Sequence, residues 1–394
     1  MARSVPGLIS VSAEVNPLDA GGSEQFHRHM TAHLMSIGTA TPEARLSQPA
    51  TRDFFRAQPG VDRLTSRLIG AAFDHSAIDT RYSVIGGIGE EATDFADDGV
   101  LRSPTTGERN AFYRREAPSL TARAARQALE RSGFEAADVT HVVTASCTGF
   151  FAPGPDYLLV RDLGIRLTAE RTHVGFMGCA AAFPALRAAA RICAAQPGSV
   201  VLIACTELCS LHIRSSRDPE QIVASAVFGD GAAAAIVASA PPRTGAPRLE
   251  IGEFSTAITS EGEADMDWSI GDHGFEMVLT AQVPRIIGRE IGGVASAMLG
   301  EGVDPVSAVD AWAVHPGGRS VLDHVQAGLS LPDEAMGYSR DVLRDYGNMS
   351  SATILFILQR ILADDSLPDG ARIAGLCFGP GLTVETVALT RAAA

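Results

Sequence analysis

The stretch from His173 to Cys209, HVGFMGCAAAFPALRAAARICAAQPGSVVLIACTELC, constrains the fold more than any other part of the chain. HVGFMG reads as a short buried strand, and AAAFPALRAAARICAA as a helix of good helix formers that Gln196, Pro197 and Gly198 stop. SVVLIACTE, from Ser199 to Glu207, follows as a central strand. Cys179 therefore sits at a strand-to-helix turn, on the helix N-terminus, where Gly178 gives the backbone room. Unpaired N–H groups and the positive end of the helix dipole favour thiolate over thiol at such a place, so a depressed Cys179 pKa is expected. A lone cysteine in an apolar run is more often simple packing, and partners elsewhere must decide between the two readings.

Further strand–turn–helix units follow the same plan. Residues 1–30 are polar and weakly periodic and read as a mobile arm. HLMSIGTATP, from His33, is a first strand. The segment Thr51 to Ser83 carries Arg63 and Arg67 four apart on one helix face, either a solvated face or a seat for a phosphorylated carrier. Arg114 to Gly133 is an amphipathic helix closed by glycine, and a strand starts at Val139. FGDGAAAAIVA is a turn and a strand of small residues that lies deep in the fold. ASAPPRTGAPR is a Pro/Gly-rich link between a half spanning 31–240 and a half spanning 249–394. GFEMVLTAQVPRIIGREIGGVASAML reads as a long helix interrupted or entered at Pro284. VSAVDAWAVHPGGRSVLDHVQAGL then echoes ADVTHVVTASCTGFFAPGPDYLLVRDLG, which suggests an internally duplicated α/β fold.

With 394 residues, 46% of them hydrophobic, the chain can bury a large core. A formal net charge of −14 argues against nonspecific nucleic-acid binding and against an anionic membrane surface. No apolar run is long enough to span a bilayer and no signal peptide is apparent, so a cytoplasmic protein is expected. The six cysteines show no CxxC or zinc spacing, which predicts free thiols and no structural metal.

Cys179, His315 and Asn348 each end a strand or loop and open a turn or helix. In a parallel α/β sheet such positions converge at the carboxyl ends of the strands. A cysteine nucleophile needs a base or cationic partner and a second donor for an oxyanion or enolate, and His315 and Asn348 supply both. Taken singly, an asparagine at a helix start reads as a cap, and a histidine in an HPGG turn as structural.

The flanks GFMGCAA, FGDGAAA, HPGG, YGNMSSA and FGPGLTVET, in that order, resemble the type III polyketide synthases, the chalcone synthase-like family of the thiolase superfamily. The likeness runs from about Ile37 to Leu389. It implies a five-layered αβαβα thiolase fold, a homodimer, and no metal or redox cofactor. It also implies that an acyl-CoA loads onto Cys179 and that His315 and Asn348 assist decarboxylation of malonyl-CoA. The resulting carbanion would attack the cysteine thioester over several rounds before cyclisation.

By the same resemblance Gly317, Gly318 and Ser350 belong to the substrate site, and Phe228 matches a gatekeeping phenylalanine between the CoA tunnel and the cavity. The second gatekeeper is replaced by Met277, a more pliable side chain. The basic residues that plant members use for CoA phosphates are mostly absent, the last falling on His75, and Arg63 and Arg67 stand as substitutes. Cavity positions fall on Thr148, Ala152 and Cys209, with His212 nearby and Trp268 where plant members carry glycine. A large residue at Ala152 would plug the cavity floor, so these small side chains predict an apolar tunnel and a long-chain fatty acyl-CoA starter. Two or three malonyl units would then give an alkylresorcinol, resorcylic acid or alkylpyrone. Rival readings are a ketoacyl synthase III-like enzyme making one condensation, and a type III synthase with an aromatic or short starter. Delivery of the starter by an acyl carrier protein rather than CoA stays open at this point.

Overall fold

The computed structural model describes residues 32–86, 95–239 and 247–392. The arm expected over residues 1–30 and most of the Pro/Gly-rich link lie outside the described residues.

β1 (Ala32–Ala40) and β2 (Ala44–Ser47) precede α1 (Gln48–Arg56) and α2 (Arg63–Asp74), whose first turns are capped by Ser47 and Asp62. Three short strands, β3 (Thr80–Ser83), β4 (Ala96–Asp97) and β5 (Val100–Leu101), lead to α3 (Thr106–Ser132). This helix starts at Thr106 rather than Arg114 because Thr105 and Glu108 form a capping box, and it ends at Gly133, which is left-handed at φ 73°. β6 (His141–Ser146), α4 (Pro155–Leu163), β7 (Glu170–Gly175), α5 (Ala182–Ala195), β8 (Val200–Leu208), α6 (Pro219–Val227) and β9 (Asp230–Ala238) follow. Every residue of β8 and β9 is buried, as the sequence of each implies.

The second half comprises β10 (Arg248–Ile258), β11 (Met266–Gly271), β12 (Gly274–Leu279), α7 (Val283–Leu299), α8 (Pro305–Ala308), β13 (Ala311–Val314), α9 (Arg319–Gly328), α10 (Gly337–Tyr346), α11 (Thr353–Leu362), β14 (Arg372–Gly379) and β15 (Thr383–Ala392). Two expectations need correction. GFEMVL is a strand, not the front of a helix: it pairs with MDWSIG across a tight turn that joins Gly271 to Gly274, and the helix begins only at Val283. β7 is not buried, because it is the edge strand with β6 as its one partner, and most of its side chains are exposed.

Nine strands form one sheet in the order β13-β14-β15-β10-β1-β9-β8-β6-β7. The order reads as two copies back to back. β6 and β8 run parallel, β8 pairs antiparallel with β9, and β9 with β1. In the second half β13 and β14 run parallel, β14 pairs antiparallel with β15, and β15 with β10. The copies meet at the antiparallel β1–β10 pair. Alternation along the strands sorts the core into layers. Val201, Ile203, Ala233 and Ala235 face a central layer with α5 and α11, which Ala313, Ile373 and Leu389 close from the other half. Leu202, Ala204, Ala234 and Ile236 face α3, while Trp312, Val314 and Leu376 face α7 and α9. The result is the αβαβα order that the resemblance implies.

Close approach of α3 to β1 requires a glycine: a Cβ on Gly38 would lie 2.2 Å from the Ala124 carbonyl oxygen and 2.5 Å from the Ala128 nitrogen. Gly38→Ala is expected to lower unfolding stability by about 1–3 kcal/mol through overpacking. An unchanged urea midpoint would contradict that packing.

Candidate active site

Cys179 lies in a one-turn 3-10 helix, Gly178–Ala180, just ahead of α5 rather than on its first residue. Gly178 has φ 57°, and a Cβ there would lie 2.6 Å from Pro380 Cδ. The turn can therefore rest against the Gly379–Pro380 corner only because residue 178 is glycine. His315 follows β13, and its N–H donates to the Leu376 carbonyl of β14 at 2.8 Å. Asn348 is fixed through its backbone to the residues on either side of Phe228: its N–H donates to Val227 O at 3.0 Å, and Gly229 N–H donates to its carbonyl at 2.9 Å. Its Oδ1 accepts the Ser350 N–H at 2.8 Å, which turns Nδ2 toward Gly317 O at 3.3 Å and the Cys179 sulfur at 3.9 Å.

Two cavities meet at Cys179, Phe228, Met266 and Met277. An inner one of about 50 Å³ is lined by Thr148, Cys209, His212, Trp268, Phe275 and Ser350 among others. An outer one of about 360 Å³ holds His315, Asn348, Gly317 and Gly318 and runs out past His75, Glu220 and Arg319. Phe228 and Met277, the positions expected to form a gate, line both. His315 is fully buried, and neither ring nitrogen has a hydrogen-bond partner in the protein, so both are free for a ligand in the outer cavity.

Burial dominates the electrostatics. Desolvation pushes the Cys179 thiol up to about 11, against smaller opposing contributions from the Ser350 and Asn348 hydrogen bonds. Desolvation also pushes His315 down to about 3. Burial thus acts on both groups in favour of their neutral forms, and for Cys179 its direction is opposite to the depressed thiol pKa expected from the helix N-terminus. Cys179 sits a turn before α5, where the dipole of that helix contributes less than the loss of water costs.

Several sequence expectations are relocated. Ala152 is exposed in the loop after β6 and lines neither cavity, so it cannot be the floor of this chain's cavity. The floor is aromatic: the His212 ring stacks on Phe275 at 4.2 Å, and Trp268 meets both edge-on while its Nε1–H donates to Cys147 O at 2.6 Å. Arg63 and Arg67 are exposed and likewise line neither cavity. The cation that does line the outer cavity is Arg319, directly after HPGG, which the sequence reading passed over.

Glu207 was also missed, although a carboxylate inside the apolar run SVVLIACTE was the signal for it. It is fully buried behind the site and accepts from Thr148 Oγ1 at 2.8 Å, Cys147 N–H at 3.1 Å and Ser351 Oγ. Burial raises its pKa despite these donors. The Cys147 sulfur links it to Ser350 Oγ at 3.4 Å.

The family profile of the N-terminal domain of chalcone and stilbene synthases matches residues 22–241, and that of their C-terminal domain matches residues 251–393. A probable polyketide synthase 1 from Dictyostelium discoideum is 30% identical over 366 residues, 91% of this chain; the chain spans 11% of that relative's length. Among solved structures, the C-terminal type III polyketide synthase domain of Steely1, a type I/III hybrid from Dictyostelium, is 28% identical with a TM-score of 0.79, over 91% of this chain and 99% of the other. PKS-I from the brown alga Ectocarpus siliculosus is 26% identical with a TM-score of 0.82, over 92% and 98% of the two chains. The bacterial type III synthase 1,3,6,8-tetrahydroxynaphthalene synthase from Streptomyces coelicolor is 27% identical with a TM-score of 0.82, over 92% and 100%.

All six cysteines are free, and of these Cys179 alone is not fully enclosed. Limiting iodoacetamide is expected to label Cys179 first, read by peptide mass mapping. Initial labelling at Cys147 or Cys209 would mean that the inner cavity, not the Cys179 junction, is the accessible end.

Proposed function

The chain belongs to the chalcone and stilbene synthase family of type III polyketide synthases, and on that premise we propose that it loads an acyl group from a CoA thioester onto Cys179. It then extends that group with malonyl-CoA by decarboxylative condensation and releases a cyclised resorcinol, resorcylic acid or pyrone. The observation that carries this reading is that Cys179, His315 and Asn348 line one open outer cavity, which joins a small inner one at Cys179.

In loading, the Cys179 thiol passes its proton to a free ring nitrogen of His315 as the sulfur attacks the thioester carbonyl. The proton then goes to the departing CoA sulfur. Burial penalises a lone charge on either group, whereas an imidazolium–thiolate pair carries no net charge, so the proton's route from the thiol is onto His315. In extension, the malonyl carboxylate leaves as CO₂ and the bond's electron pair moves to the enolate oxygen. A His315 N–H and the Asn348 Nδ2 group, already oriented, donate to that oxygen. The carbanion attacks the acyl carbonyl and Cys179 leaves as thiolate.

A short starter fits the inner cavity best, since about 50 Å³ has room for only a few heavy atoms. A long-chain fatty acyl starter, giving an alkylresorcinol or alkylpyrone, is the second reading. It draws on small Thr148 and Cys209 and on the thinness of the aromatic wall. Phe275 stacks on His212 and, at 6.2 Å, on Phe150, which is 48% exposed. With Trp268 and Phe275 turned aside an apolar tail would pass outward, each methylene contributing about 0.8 kcal/mol.

The homodimer belongs to the proposal as well, supported by the edge of β7, unpaired among the described residues, beside exposed Phe150 and Phe176. No helix among the described residues is long and apolar enough to cross a membrane, and the cytoplasm is the proposed location.

Mass spectrometry of products from malonyl-CoA and a ladder of acyl-CoA starters tests the function. Triketide and tetraketide products formed best from short starters are expected, with Trp268→Ala moving the preference several-fold toward longer chains. Wild-type preference for long chains would select the second reading, and a single 3-ketoacyl product or none would overturn the polyketide assignment. His315→Gln is expected to remove the proton's acceptor. Alkylation of Cys179 at pH 7 should then slow at least tenfold, because the thiol has lost the group that takes its proton. A rate–pH profile identical to wild type would remove His315 from that role.

A further inference from the structure

α6 borders both cavities, through Ala224 and Ser225 on the inner side and Val223 and Val227 on the outer, and delivers Phe228 to their junction. Its C-terminus has no left-handed cap, since Phe228 is extended at φ −78° and ψ 142°. The last helical bond runs from the Phe228 N–H to Ala224 O at 3.1 Å, so the carbonyls of Ser225, Ala226, Val227 and Phe228 need donors from elsewhere. Each has one. Arg81 Nη1 donates to Ser225 O at 2.7 Å and to Phe228 O at 2.6 Å, and Gln48 Nε2 donates to Ala226 O at 2.7 Å. The fourth donor is the Asn348 N–H, on Val227 O at 3.0 Å. Gln48 directly follows β2 and Arg81 lies in β3, the strand paired with it, whereas Asn348 comes from the other half of the chain.

Arg81 is the charged member of this set. Burial pushes its guanidinium down to about 10, with the Asp230 carboxylate acting the other way, so it stays a cation at neutral pH. A cation is the charge that the C-terminal end of a helix dipole favours. Among the described residues its Nε is buried without a partner, because the side chain is turned so that one nitrogen serves two carbonyls. Its stem runs where two glycines leave room. A Cβ on Gly229 would lie 3.4 Å from Arg81 Cβ, and one on Gly347 would lie 2.9 Å from Arg81 Cγ. The side chain thus packs against both segments of the parallel Phe228–Asn348 bridge.

We propose that Arg81 is a positioning residue for the decarboxylative step, fixing the Phe228–Asn348 bridge and, through it, the Asn348 amide that faces Cys179. This rests on the condensation chemistry proposed above and adds to it a residue that touches no substrate. The Asn348 side chain follows its backbone, because Oδ1 accepts the Ser350 N–H at 2.8 Å while Nδ2 lies 3.9 Å from the Cys179 sulfur. A donor to a developing enolate acts only where the charge appears, and a misplacement of about 1 Å lowers a rate by about 100-fold. Loading draws instead on Cys179 and His315, which hang from the turn before α5 and from the β13–β14 pair. The two half-reactions therefore depend on Arg81 unequally. Were Arg81 a support for the fold alone, both would fall together with the folded fraction.

The test measures CO₂ release from malonyl-CoA alone, and acylation of Cys179 by an acyl-CoA alone, read by intact-protein mass spectrometry. Arg81→Met keeps a stem and removes both donors, and Arg81→Lys keeps a cationic donor. Arg81→Met is expected to lower kcat for CO₂ release about 30- to 100-fold while loading stays within about threefold of wild type, and Arg81→Lys to lower CO₂ release only about fivefold. Equal losses in the two half-reactions, or undiminished CO₂ release, overturn the proposal. Should Arg81→Met fail to fold, Arg81→Lys decides by the same comparison. Hydrogen exchange of the peptide carrying the Asn348 N–H gives a readout independent of turnover, expected to quicken about tenfold or more in the variant. That result supports the clamp even where wild type neither loads nor releases CO₂, an outcome that would sink the assigned function alone, and unchanged exchange overturns the clamp.

Discussion

The site depends on backbone touching backbone where the two halves meet. A side chain at Gly178 would strike Pro380, and one at Gly379 would come within 3.0 Å of the Met177 carbonyl and the Ala180 Cβ. Either would push the nucleophile's turn off the end of β14, the strand whose Leu376 carbonyl also holds the His315 backbone. The third joint is Gly347, at φ 70°, where a Cβ would lie 2.9 Å from Val227 O and from the Arg81 side chain. That contact lets Asn348 hydrogen-bond the backbone on both sides of Phe228. The glycines of GFMGC, FGPG and YGN are thus the points at which Cys179 and Phe228 of one half are fastened to His315 and Asn348 of the other.

Loss of water is the second organising constraint, and it acts on every titratable group near the junction with a direction set by charge type. It raises Cys179 and Glu207 and lowers His315. Burial thereby works against the charged form of each group, and the cheapest charge separation available is one that creates opposite charges side by side. Glu207 fits this logic. A carboxyl surrounded by Thr148, Ser351 and Cys147 donors is positioned without a counter-cation, and it orients the Cys147–Ser350 path behind the nucleophile.

How legible this was in the sequence varied with the physical range of each determinant. Strands such as β8 and β9, and a helix following Cys179, rest on local periodicity and on stop signals beside them, and both were readable. β12 was not, because GFEMVL is strand only by virtue of its partner MDWSIG. The exposure of β7 follows from its place at the sheet edge, which composition does not encode. Cys179, His315 and Asn348 were found through their shared position at strand ends, whereas Ala152, Arg63 and Arg67 were placed by analogy at sites that their loop and helix do not reach. The pKa of Cys179 went the wrong way because a helix dipole is visible in a sequence and the depth of a cavity is not. Arg319 and Glu207 carried local signals, a charge after a glycine pair and a charge in an apolar strand, that gained meaning only with the cavity around them.

Selection of the acyl group and control of the gate are not separable in this arrangement. Trp268, on the wall of the inner cavity, sits directly opposite Met277, on the gate, in the β11–β12 ladder. Opposed residues on one face of an antiparallel pair set each other's rotamer and position. Gln221 of α6 fixes this hairpin to the other gate wall by donating to the Met277 carbonyl at 2.6 Å. Arg81 holds the Phe228 carbonyl from beneath at 2.6 Å. Phe228 and Met277, which line both cavities, are thus each fixed through the backbone carbonyl, and Trp268, opposite Met277, couples the wall of the inner cavity to its junction with the outer one.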